Sequence, residues 1–140
     1  MRLGAEDREV LVPGAASGAV LLLEAPLSFW GGVREHDGVI IDVHHPQHGQ
    51  CVAGRVLVMP SGRGSSSSSS VLAEVIRAGV GPAAILLGER DPILVIGAMV
   101  AEALYAKTVP IVVLGPIEYA WCSRAAHLSV NRAGETSELV

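Results

Sequence analysis

The chain has 140 residues, which suits one compact domain and leaves little room for two. Half of the residues are apolar and 17% are charged, the balance of a packed core and not of a disordered segment. The formal net charge is -4 with no basic block, which argues against nucleic acid and anionic membranes as partners.

The first residues, "MRLGAEDREV", lack the apolar stretch of a signal peptide. The longer apolar runs are interrupted by Glu24, Pro26 or Glu102, well short of a membrane span. A cytoplasmic protein is expected. Residues 9–13 ("EVLVP") and 18–24 ("GAVLLLE") are short apolar runs separated by "GAASG", a pattern that predicts two strands of an antiparallel meander. "APLSFWGGV" (25–33) runs an aromatic pair into a double glycine, a turn or a close backbone approach. "GVIIDVHHPQHGQ" (38–50) reads as a strand ending in a histidine-rich loop, and "GRVLVMP" (54–60) as a strand stopped by Pro60.

After six consecutive serines the period changes. Val71, Leu72, Val75, Ile76 and Gly79 fall on one helical face, and Glu74 and Arg77 lie three apart, where they can pair. Gly79, Gly81 and Pro82 end this helix. "AAILLG" (83–88), "PILVIG" (92–97) and "PIVVLG" (110–115) read as buried strands, with a helix over 98–107. The last stretch, "HLSVNRAGETSELV", reads as two weak strands around a turn at "NRAG". The pattern therefore predicts an α/β domain over 1–140: a β-meander-like first half, a β-α-β-α-β second half, a core of about 9–115 and a tail from 116.

The serine run would read as a linker in isolation. Here it joins a strand to a helix, where joints are short and ordered. Helix starts leave about four backbone N–H groups without partners, and serine caps them well. Capping accounts for one or two serines but not for the "SGRG" before them. Gly62 and Gly64 permit close approach of a ligand, and Arg63 offers a fork for carboxylate or phosphate. The helix dipole adds positive potential at the same place. An anion site and simple capping both fit this spacing. It is not a GxxxxGK[S/T] loop, since no lysine follows the second glycine.

"AGRVLVMPSGRGSSSSSSVLAEVIRAG", "PAAILLGERDPILVIGAMVAEALY" and "PIVVL", with "PLSFWGGV" and "DVHHPQHGQCVAG" upstream, resemble the small subunit of aconitase X. The resemblance covers roughly residues 10–115. It implies a swivelling β/β/α domain that docks on a large catalytic subunit, with the active site between them. It also implies a hydro-lyase inactive without that partner, with any iron–sulfur cluster or metal on the large subunit and none bound by this chain alone. The family's serine base follows Gly-Arg-Gly, which maps to Ser65. Arg63, with Gly62, Gly64 and Ser66, would then bind the substrate's carboxylate. The forms "DVHHP" and "GRGSSSSSS" look like the branch acting on cis-3-hydroxy-L-proline. The branch acting on mevalonate 5-phosphate is the alternative substrate reading.

Other candidates carry two readings each. Phe29 and Trp30 fit either the core or the wall of a cleft or interface. Asp42, His44, His45 and His48 suggest a metal by residue type. Neighbours on a strand point to opposite faces, so His44 and His45 would not converge. No metal site is expected, and Asp42 and His45 are expected to order the loop or face the partner. Asp91 before Pro92 reads as a turn former, and Cys51 as a small buried hydrophobe. The rival from another class is a non-catalytic swivelling module that binds a ligand or carries a phosphohistidine. Against a carrier, His44 and His45 do not lie at a helix start.

Overall fold

The computed structural model describes residues 8–139. Its elements in chain order are β1 (Arg8–Val12), β2 (Ala16–Leu22), β3 (Val56–Met59), α1 (Ser67–Arg77), β4 (Ala84–Leu87), α2 (Pro92–Tyr105), β5 (Ile111–Leu114), α3 (Pro116–Arg124), β6 (His127–Val130) and β7 (Thr136–Glu138). The strands form one seven-stranded sheet in the order β1-β5-β4-β3-β2-β6-β7. β2, β3, β4 and β5 run parallel at the centre, and β1, β6 and β7 are antiparallel at the edges.

Strand alternation builds a core on each face. Leu57, Met59, Ile85, Leu87 and Ile111 point to one side and pack with α1, α2, Leu27, Phe29 and Ile40. Val56, Val58, Leu86, Val112 and Leu114 point to the other and pack with Cys122, Leu128 and Val130. Covering on both sides is why these strands are apolar throughout. Among the described residues, no helix is long and apolar enough to cross a membrane.

The α/β architecture agrees with the sequence reading, as do β3, α1, β4, β5 and the β6–β7 hairpin. Four details differ. β1 and β2 do not pair in a meander: β1 lies against β5, and β2 lies between β3 and β6. Residues 92–97 are the start of α2 and not a strand, because Asp91 accepts hydrogen bonds from Ile93 N and Leu94 N and Pro92 takes the first helical turn. The expected strand at 38–43 is reduced to isolated bridges, Val33 with Ile40 and Val39 with Cys51. There Asp42 Oδ1 accepts from His44 N at 2.9 Å and turns the chain. The segment after Pro116 adds α3, which the sequence reading left without an element. α3 carries Glu118 into the second core, where its carboxylate meets Arg8 Nε at 3.3 Å and Thr136 Oγ1 at 2.6 Å.

Candidate active site

β3 ends at Met59 and the chain crosses to α1 through Pro60–Ser66. Gly62 makes a parallel bridge to Leu27, so the loop lies along the 25–33 segment. A Cβ on Gly62 would come within 1.8 Å of Asp91 Oδ2. This glycine therefore seats the loop against the start of α2. Gly64 has φ +101°, a conformation that favours glycine, and a Cβ there would lie 2.4 Å from Ser28 Oγ. The Gly-Arg-Gly spacing thus fixes the loop between two neighbours and turns Arg63 outward, where it is exposed.

The serines divide their work. Ser65 is exposed, and its Oγ accepts from Ser67 N at 3.3 Å, one of the free donors at the helix start. Ser66 is already helical and its side chain caps nothing. The first turn closes by short-range bonds from Ser68 N to Ser65 O and from Ser69 N to Ser66 O. Ser68 is buried at 2% exposure and belongs to a ring of hydrogen bonds with Ser28. Trp30 N donates to Ser68 Oγ at 3.1 Å, and Ser28 Oγ donates to Trp30 O at 2.9 Å. That leaves the Ser68 hydroxyl proton for Ser28 Oγ, 3.3 Å away. Nothing in the sequence pattern singles out Ser28. Its role comes from the fold of the 25–33 segment onto α1, which residue spacing does not encode.

This ring places Trp30 beside the serine loop. Ser28, Trp30, Gly31, Gly32, Asp42, Arg63, Gly64 and Ser65 line a cleft of about 430 Å³, in the range of small-molecule sites. Trp30 is 59% exposed at its rim, while Phe29 is fully buried in the core. Asp42 reaches the cleft. His45 does not: it is buried, Nε2 donates to Ala25 O at 2.9 Å, and Nδ1 accepts from Gln47 N at 3.0 Å. Both ring nitrogens are spent on ordering the 42–50 loop. Gly62 and Ser66 flank the cleft without lining it. Among the described residues, Arg63 has neither an ion-pair nor a hydrogen-bond partner, so its guanidinium fork is available to a ligand.

Among the described residues no three His, Cys, Asp or Glu side chains gather to hold a metal. Cys122 is fully buried against Thr136, and Cys51 donates to Asp37 O at 3.2 Å. Burial raises the Cys122 thiol from 9.0 to about 11.

The family model described as "Aconitase X swivel domain" matches residues 6–138. This chain belongs to the aconitase X swivel-domain family. A cis-3-hydroxy-L-proline dehydratase from Pseudomonas aeruginosa is 52% identical over 105 residues, which are 75% of this chain and 18% of that protein. This swivel domain thus spans less than a fifth of that relative's length. A phosphomevalonate dehydratase small subunit from Methanothermobacter thermautotrophicus is 40% identical over 68% of this chain and 72% of its own. The crystal structure of Thermococcus kodakaraensis aconitase X in its holo form superposes with a TM-score of 0.81 at 30% identity, covering 94% of this swivel domain and 95% of that chain.

Proposed function

We propose that this swivel domain is the small part of an aconitase-X-type dehydratase that removes water from cis-3-hydroxy-L-proline, working against a larger partner. The observation that carries this reading is the cleft that joins Arg63 to Ser65 at the start of α1, on a chain 52% identical to a dehydratase of that name.

Arg63 binds the substrate carboxylate, bidentately and close to the reacting carbon. Ser65 takes the proton from the carbon next to that carboxylate. The electron pair of the broken C–H bond becomes the new carbon–carbon double bond, and the C–O bond to the hydroxyl breaks. The hydroxyl leaves with the electron pair of that C–O bond and is protonated to water by the proton that Ser65 took, which returns Ser65 to its starting state. The unsaturated ring acid then tautomerises to the pyrroline carboxylate. A serine hydroxyl is a poor base until its alkoxide is stabilised. Ser67 N–H, already directed at Ser65 Oγ, the dipole of α1 and the Arg63 cation all act in that direction. On this reading any iron–sulfur cluster or metal lies on the large partner, where it would supply a Lewis acid for the leaving hydroxyl. A larger partner also accounts for the exposure of Ile96, Met99 and Leu104 on α2, apolar surface that docking would remove from water.

A second reading rests on the small subunits of phosphomevalonate dehydratases, which match in length as well as in sequence. One assay separates the two. The chain is purified together with its large partner and supplied with cis-3-hydroxy-L-proline or mevalonate 5-phosphate. Loss of water from the first compound is expected. Turnover of the second alone would move the assignment to the other branch, and turnover of neither would remove the dehydratase reading.

A further inference from the structure

The two charged groups of the cleft have opposite sign. Arg63 is its cation, and Asp42 is the one carboxylate among its lining residues. Asp42 is half-buried and fixed, with Oδ1 held by His44 N at 2.9 Å. Among the described residues no hydrogen bond reaches Oδ2, and Asp42 and Arg63 do not form an ion pair with each other. Trp30 stands at the same rim with 59% of its surface exposed, although its backbone is pinned by Ser68 and Ser28. A large exposed indole on a fixed backbone offers a flat face to a cation.

We infer that Asp42, with Trp30 beside it, forms the ammonium-recognising half of this cleft and selects zwitterionic amino acids over purely anionic hydroxy acids. This inference rests on the dehydratase reading and adds the residue that decides substrate class. A cyclic amino acid presents a carboxylate and a secondary ammonium on neighbouring atoms. Arg63 complements the first, and Asp42 and the indole complement the second. A phosphorylated hydroxy acid brings further negative charge to a cleft whose second ionic group is a carboxylate. Repulsion from Asp42 then discriminates against it as much as attraction favours the amino acid.

Asp42→Asn is a clean probe, because Asn can still accept the His44 N–H while the charge is lost. The test is calorimetric binding to the assembled complex with two ligands of nearly equal shape, L-proline and tetrahydrofuran-2-carboxylate. They differ in a ring NH₂⁺ against a ring oxygen. The native complex should bind L-proline about tenfold or more tightly than the oxygen analogue, as a charge-assisted contact implies. In Asp42→Asn that ratio should fall to within about twofold, with the analogue's affinity unchanged. Arg63→Lys should weaken both ligands alike. Equal binding of both ligands by the native complex, or an equal loss of both in Asp42→Asn, overturns the role of Asp42 and leaves the carboxylate site standing. Failure of the native complex to bind either ligand overturns the dehydratase reading and this inference with it.

Discussion

Single side chains in this domain divide sharply between those that hold the loop and those left free to act. Ser68 and Ser65 are three positions apart in one homopolymeric run. One is buried in a ring with Ser28, and the other faces the cleft. A run of identical residues hides such a division from sequence reasoning, since only the helix it starts tells inward from outward. Cys122 shows the same dependence on surroundings. Its thiol is raised from 9.0 to about 11 by burial, so the folded state keeps its proton where the unfolded chain has lost it. Stability from this group is complete below about pH 9 and is lost as pH rises towards 11. Denaturant titrations between those limits should show a falling midpoint that Cys122→Ala flattens. An equal fall in Cys122→Ala would assign the effect elsewhere. Below pH 9, Cys122 should also react with a thiol reagent far more slowly than the half-buried Cys51.

At the level of elements, the cleft depends on how closely α1 meets α2. A Cβ on Gly97 would lie 2.7 Å from Ser69 O and 3.1 Å from Leu72 Cβ, so the glycine sets the spacing of the two helices. Gly97→Leu should cost about 1–3 kcal/mol by overpacking. It should also lower kcat, because Ser65 sits directly before α1 and its Oγ is held by Ser67 N. Loss of stability with unchanged kcat would show that the serine loop is independent of helix spacing. The elements legible in the sequence were those with one dominant signal: short unbroken apolar runs in β3, β4 and β5, period 3.6 in α1, and the "NRAG" turn between β6 and β7. The start of α2 was not, because "PILVIG" is apolar on every side and the cap at Asp91 resembles a turn. The pairing of β1 with β5 joins residues about a hundred positions apart, and no local pattern encodes it. The cleft was partly legible. Arg63, Gly64 and Ser65 lie in one loop, and Trp30 and Asp42 were candidates, while Ser28 depends on tertiary contact. Phe29 and His45, candidates of the same standing, turned inward.

For the whole molecule, the first core cluster reaches up to the serine loop through Leu27, Met59, Val71 and Leu72, while Arg63, Gly64 and Ser65 stay exposed at the surface. In the Pseudomonas aeruginosa relative, about four-fifths of the protein lies outside the region matched here. Within the cleft, the lining of this chain offers one arginine, Arg63, and one carboxylate, Asp42, beside the exposed Ser65. In the proposed dehydration Ser65 supplies the base. The most direct measurement is the kcat of the assembled complex on cis-3-hydroxy-L-proline with Ser65→Ala, beside a sedimentation check that the complex still forms. Removal of a catalytic base typically costs 10²–10⁴-fold, and a loss of about that size is predicted with assembly intact. Turnover within a few-fold of the native complex would contradict the account and leave Ser65 as a helix cap.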